Sequence, residues 1–356
     1  MVYQPNKAIH PGKTVQKTLD ILGMSQKLLA ERTGLSEKHI SLIINGEASI
    51  TADTALLFEN ALGGSATFWI NLDKNFRTTK ARLEQESRAQ EDLEELDNFP
   101  YAELVKLGRV ERTTKKVEKI INLWKFFGVN SLGSVRTTEA VAYRRGYNKN
   151  VNAGSLAAWL RCGEIDSGQL VLNEYNQNML KELLPKIREM TSSLEKGFFE
   201  KIQKDFADAG VGLVAVQHLK GTKASGATRW VGDNPLIQVS IYGRDADKFW
   251  FTLFHEIGHV LLHGKKDQFI SFTSGGEKTS NELRADEFAA NILIPDDSYR
   301  SFVTNLDFSE KSIKDFANQE GVDVGIVVGR LKNNRWLPFG AYQHLHRKLV
   351  MNNESK

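Results

Sequence analysis

Two histidines four residues apart, His255 and His259, bracket Glu256 in the run Phe249-Trp250-Phe251-Thr252-Leu253-Phe254-His255-Glu256-Ile257-Gly258-His259-Val260-Leu261-Leu262-His263, which contains the pattern H-E-x-x-H. In a helix that step puts both imidazoles on one face about one turn apart, which is how a helix chelates a single zinc ion. Glu256 projects from an adjacent part of the helix, where a carboxylate can take a proton from metal-bound water rather than bind the metal. His263 continues the spacing, but it lies about 12 Å along the axis from His255, too far to share one ion. Its place is beside the ligands, in a structural or supporting role.

A mononuclear site of this kind needs a third protein ligand, with the fourth position left to water. The downstream stretch Asn281-Glu282-Leu283-Arg284-Ala285-Asp286-Glu287-Phe288-Ala289-Ala290-Asn291-Ile292-Leu293-Ile294-Pro295 reads as a second helix closed by its proline. Glu282 and Asp286 are one turn apart on a common face of it. A glutamate there reaches the metal, and an aspartate one turn on can accept a hydrogen bond from a ligating histidine.

The segments FTLFHEIGHVLLH and ELRADEFAANILIP resemble the ImmA/IrrE family of metallo-endopeptidases, whose pattern is H-E-x-x-H followed by E-x-x-A-(D/N)-x-F-A. The resemblance implies that His255, His259 and Glu282 are zinc ligands, one ion per chain, and that Glu256 is the general base. It also puts Asp286 where related zinc peptidases keep a carboxylate behind a ligand. A site of two histidines and a carboxylate can also accept other divalent ions.

Around these residues the helix must be almost wholly buried. Phe249, Leu253, Phe254, Ile257, Val260, Leu261 and Leu262 cover most of its circumference, leaving one polar stripe for a cleft. Gly258 leaves space beside His259, Asp245 is the expected start, and Gly264 the expected C-cap. Upstream, Phe198 to Ala209 reads as a helix, followed by three short β-rich runs, GVGLVAVQHL, GATRWVG and PLIQVSI. The strand Leu236 to Ile241 is expected to lie along the cleft, and by resemblance an edge strand of this kind pairs with extended substrate. His218, alone at a strand end, is expected to be structural or exposed.

Composition narrows the setting. The chain has 356 residues, 41% hydrophobic and 26% charged, ordinary values for a folded protein with a sizeable core. Its one cysteine, Cys162, excludes an intramolecular disulfide and any multi-cysteine metal site. The N-terminal MVYQPNKAIHPGK lacks an apolar leader core, and no run of about 18 apolar residues could span a bilayer, so the expectation is a cytoplasmic protein with no membrane partner. A net charge of +3 does not by itself argue for nucleic acid.

Residues 1–76 carry a different pattern. Within them, Met24 to Gly46 has the layout of a helix-turn-helix: Ser25 as N-cap, Ala30 small at the crossing, Gly34 at a left-handed turn, Leu35 plugging the core and Ser36 capping the second helix. Lys27 and the recognition-helix residues Ser36, Glu37, Lys38, His39 and Ser41 are then the candidates to face DNA. Seven basic and seven acidic residues balance in this module, so affinity must come from local contacts rather than a broad field. The stretch from Ile9 to Leu72 is similar to the HigA type of antitoxin, a helix-turn-helix repressor of the Cro/CI class, and the resemblance implies binding to operator DNA as a homodimer.

Residues 77–195 read as a charged helical connector and a helical middle region, in which Trp124, Phe126, Phe127 and Trp159 build core. Residues 196–300 read as the zinc metallopeptidase domain, and 301–356 as a helical packing or substrate-docking segment. Within that last segment, the helix, glycine and helix of Ser312 to Leu331 mimic a second helix-turn-helix, but the second helix is apolar where a DNA reader would be polar. His344 and His346 are expected at the surface. The fold class expected is α+β and mostly helical: an all-α helix-turn-helix domain, a helical middle, and a zincin-like domain with a small sheet.

Together these readings lead to a zinc-dependent endopeptidase fused to a repressor-type DNA-binding module. By resemblance it cleaves a repressor or antitoxin to control transcription in a stress, mobile-element or toxin–antitoxin system, with a repressor, antitoxin or toxin protein as substrate or partner. The alternative is a HigA-like antitoxin or regulator whose peptidase-like domain senses a ligand or partner with little or no proteolysis.

Overall fold

The structure, a computed structural model, describes residues 5–135, 151–193, 195–241, 245–265, 267–272 and 279–349. The chain divides into two compact units, Met1–Leu93 and Glu94–Lys356.

The first unit is all helical: α1 Gly12–Leu22, α2 Gln26–Thr33, α3 Glu37–Asn45, α4 Ala52–Leu62 and α5 Ala66–Glu91. A hydroxyl starts each of the last four. Ser25, Ser36, Thr51 and Ser65 accept hydrogen bonds from the amides of Leu28, His39, Thr54 and Phe68, satisfying donors that a helix start leaves unpaired. Between α2 and α3, Gly34 has φ 73°, a left-handed conformation that costs a glycine little. Val15, Leu19, Leu29, Ile40, Ile43, Phe58 and Trp69 form a core of their own, and Leu35 packs half-buried against it. The helix-turn-helix expected from the caps is therefore present. Its last helix continues through residues 77–91 without a break, so position 76 lies inside α5. Asp73 ties that helix down, taking a hydrogen bond from the Ile50 amide at 3.3 Å and pairing with Arg77 at 2.6 Å.

The second unit is α+β. Helices α6 Tyr101–Lys106, α7 Lys116–Phe127, α8 Ala153–Ser167, α9 Gln177–Ser193 and α10 Phe198–Asp208 precede strands β1 Gly212–Gln217, β2 Ala224–Val231 and β3 Asn234–Ile241. Then come α11 Ala246–Leu262, β4 Phe269–Phe272, α12 Ser280–Leu293, α13 Asp296–Thr304, α14 Glu310–Glu320 and α15 Val324–Asn333. The sheet order is β1-β3-β2-β4, with β1 parallel to β3 and the other pairs antiparallel.

Two expectations about the sheet change here. The strand before α11, β3, is not an edge: it is hydrogen-bonded on both sides, to β1 and to β2. The outer strand on the β2 side is β4, four residues long, which sequence periodicity did not register because so short a run carries too little alternation.

Trp250, Leu253, Phe254 and Ile257 of α11 are fully buried, in one core with Ile237 and Val239 of the sheet and Val327, Val328 and Leu331 of α15. Burying each such side chain is worth about 1.5–3 kcal/mol. The apolar second helix of the Ser312–Leu331 pair thus packs beneath the H-E-x-x-H helix instead of facing solvent. Trp159 of α8 is likewise buried, its carbonyl accepting from Gln238 at 2.7 Å. The start of α11 is closed by the C-terminal segment, since the Ala246 amide donates to the Arg347 carbonyl at 3.0 Å and Asp245 bridges to Lys348. Among the described residues no helix is long and apolar enough to cross a membrane.

Candidate metal centre

Helix α11 begins at Asp245, whose carboxylate pairs with Lys248 at 2.7 Å and with Lys348 rather than capping the helix amides. Burial would raise this carboxyl, but the two lysines bring it below its ordinary value. The helix ends at His263, not at the expected Gly264. There the chain turns extended with φ −123°, and the His263 amide still reaches the His259 carbonyl at 3.2 Å, so no left-handed residue is required.

Gly258 sits where α11 crosses α12. A Cβ at this position would meet Phe288 Cδ1 at 3.1 Å and Ala285 Cα at 3.3 Å, so the glycine admits the second helix close to the first. Thr279 caps α12 by accepting from the Glu282 amide at 3.3 Å, which places Glu282 in the first turn. The crossing brings three donors together: His255 Nε2 to His259 Nε2 3.0 Å, His255 Nε2 to Glu282 Oε2 3.2 Å, and His259 Nε2 to Glu282 Oε1 3.3 Å. Their ligand atoms all lie within 4.8 Å of one another. Two imidazoles and a carboxylate, with no cysteine in the set, fit zinc with a fourth position open.

Charge is concentrated at the same point. Burial would lower the His255 imidazole, but Asp286 and Glu282 at its two nitrogens, with Glu256 beside it, hold it up at about 10. Burial pushes the Glu282 carboxyl up, whereas His255 and His259 bring it down to about 2. Asp286 Oδ1 lies 2.9 Å from His255 Nδ1, on the side away from Glu282. His263 is outside the convergent set: its Nε2 is 3.2 Å from the Asn281 carbonyl at the start of α12. Burial, then the neighbouring His259, keep the His263 imidazole below its ordinary value.

Glu256 has no exposed surface. Its Oε2 accepts from the Thr228 hydroxyl and its Oε1 from the Ser271 hydroxyl, both at 2.6 Å. Gly226 of β2 lies flush against it, and Phe269 of β4 covers His259. None of these four was singled out from sequence. For Gly226 and Thr228 a signal existed, since they sit two apart in the run GATRWVG and share a strand face.

The other histidines lie elsewhere. His218 Nδ1 is 3.1 Å from the Thr222 hydroxyl, and His344 pairs with Glu310 at 2.9 Å on the surface. His346 is not at the surface as expected: its Nδ1 is 3.1 Å from Asp247 Oδ1 and its Nε2 3.0 Å from Lys332 Nζ, because the C-terminal segment folds back over the start of α11. In the helix-turn-helix, Lys27, Ser36, Glu37 and Lys38 are exposed while His39 and Ser41 are half-buried. The inward face of α3 is given to Ile40 and Ile43.

Comparison with known proteins matches both parts. The IrrE N-terminal-like domain family matches residues 212–332, which span the sheet, the convergent donors and α15. The helix-turn-helix family matches residues 16–69. A curated relative, virulence-associated protein I of Dichelobacter nodosus, is 33% identical over 81 residues, 22% of this chain and 75% of its own length. Two solved structures are similar at a TM-score of 0.23. One is described as an antidote protein of a plasmid maintenance system from Nostoc punctiforme, 32% identical and covering 24% of this chain and 93% of that one. The other, an addiction module antidote protein of the HigA family from Coxiella burnetii, is 31% identical and covers 24% and 95%. One match lies on the candidate metal centre and the other on the capped helices of the first unit, so the chain carries an IrrE N-terminal-like domain over residues 212–332 and a helix-turn-helix domain over residues 16–69.

Proposed function

We propose that the chain is a zinc-dependent endopeptidase guided by a DNA-binding module. The observation that carries this reading is the convergence of His255, His259 and Glu282 beside the buried carboxylate of Glu256. His255, His259 and Glu282 would hold a zinc ion, which would supply Lewis acidity toward the scissile carbonyl. Glu256 takes the proton of the attacking water and returns it to the leaving amine. Asp286 behind His255 fixes that ring's orientation, and His263 braces the start of α12.

On this reading, residues 1–76 bind operator DNA in the cytoplasm as a homodimer, with Lys27, Ser36, Glu37, Lys38, His39 and Ser41 facing bases and phosphates. Ser36 keeps its proton available for a phosphate, because its oxygen only accepts from the His39 amide. Residues 77–195 connect this module to the peptidase region 196–300, with 301–356 supporting it. The substrate is a repressor or antitoxin protein whose cleavage releases transcription.

The deciding variant is Glu256→Gln, which preserves shape but cannot act as a base. It should keep about one zinc per chain and the wild-type fold while losing cleavage of the co-encoded repressor or antitoxin by at least ~100-fold. Cleavage unchanged in the variant sinks the mechanism. Zinc bound, operator occupied and no cleavage by either protein would favour the sensing regulator.

A further inference from the structure

We infer that Thr228 and Ser271 are positioning residues that aim Glu256, an inference that rests on the peptidase reading above. In the β2–β4 ladder Thr228 pairs with Phe269 and Gly226 with Ser271, so these four residues share one face of the sheet, the face that meets α11. Each meets the motif differently. Phe269 stacks on His259, Thr228 and Ser271 donate to the two oxygens of Glu256, and Gly226 provides the space. A Cβ on Gly226 would meet Glu256 Oε1 at 2.3 Å, so the carboxylate rests directly on the strand backbone.

Two hydroxyls from neighbouring strands donate at 2.6 Å to the two oxygens of a carboxylate with no exposed surface. Hydroxyl-to-carboxylate bonds of this length are strong, and two of them from adjacent strands leave the side chain one orientation. A carboxylate has about four acceptor positions, so two hydroxyl donors do not fill its capacity. The Ser225 hydroxyl donates to the Ser271 carbonyl at 3.1 Å and fastens β4 to β2 where the two donors sit. The hydrogen bonds of the Thr228 and Ser271 hydroxyls go to Glu256 and not to His255, His259 or Glu282. They act through Glu256 alone.

The test uses zinc-loaded full-length protein and acetohydroxamic acid, which chelates zinc through two oxygens and gives its hydroxyl proton to a correctly aimed carboxylate. Its Kd should rise about tenfold in Thr228→Val and in Ser271→Ala, and Thr228→Ser should return it to within about twofold of wild type. Zinc content and unfolding midpoint should stay at wild-type values in all three. Wild-type affinity in Thr228→Val and Ser271→Ala, with weakened binding in Glu256→Gln, overturns the positioning role and leaves the base assignment standing. Unchanged affinity in Glu256→Gln overturns the base assignment itself, as does a wild-type protein that takes up no zinc. Loss of zinc in Thr228→Val, or failure of Thr228→Ser to rescue, makes the hydroxyl a scaffold element and also overturns the inference.

Discussion

The Phe269 ring lies stacked on the His259 imidazole, centroids 4.0 Å apart and planes 13° apart. A flat apolar face against an imidazole removes its freedom to tilt and keeps bulk water off it. Phe269→Ala should weaken zinc binding about tenfold, as is usual when a ligand's support is removed. Competition with a chelating dye measures it, and wild-type affinity would make the stack incidental.

His255→Ala, His259→Ala and Glu282→Ala should each empty the site, because each removes one of the three donors proposed to hold the metal. Asp286→Asn should instead retain zinc about 10–100-fold more weakly, since it alters only what stands behind His255. Metal analysis after gel filtration distinguishes the two behaviours. Full occupancy in Glu282→Ala would mean that the third ligand is another residue.

Gly226→Ala puts a methyl where the Glu256 carboxylate sits, 2.3 Å from Oε1. Overpacking of this kind costs about 1–3 kcal/mol and should push the carboxylate off its two hydroxyl partners. A lower unfolding midpoint together with lost cleavage is expected. A fully active, equally stable variant would show that the strand can retreat.

In the helix-turn-helix, Lys38→Ala with His39→Ala should abolish operator binding in a gel shift while leaving zinc content untouched. Retained sequence-specific binding would move the recognition surface elsewhere.

Ser36→Ala removes the hydroxyl that accepts from the His39 amide at 3.1 Å. Loss of such a cap costs about 1 kcal/mol, which chemical denaturation of the protein should register as a lower midpoint for the first unit. An unchanged midpoint would mean that water satisfies the amide equally well.

How much of this was legible follows from the physics of each signal. Serine before a helical run and glycine after it act within a few residues, so Ser25, Gly34 and Ser36 were readable, and with them the helix-turn-helix. The four-residue repeat of His255 and His259 is equally local. Glu282 lies 27 positions beyond His255, and it was tied to the pair by the second helix read around it and by the family pattern together. Ser271 was not legible at all: its meaning depends on β4 pairing with β2, and a four-residue strand offers no periodicity. His346 was misplaced for the same kind of reason, because only the folded path of the C-terminal segment brings it to Asp247.

That segment also orders events in time. The first turn of α11 is completed by the Arg347 carbonyl, whereas the first unit draws its core from residues 15–69. On the ribosome the first unit is made about 250 residues before Arg347, on the order of 10–50 s earlier at common elongation rates. Nascent chains arrested before residue 340 should therefore bind operator DNA but retain no zinc, and those extended past residue 349 and clear of the exit tunnel should do both. A ribosome-bound chain would then hold its helix-turn-helix unit folded well before its candidate metal centre is complete.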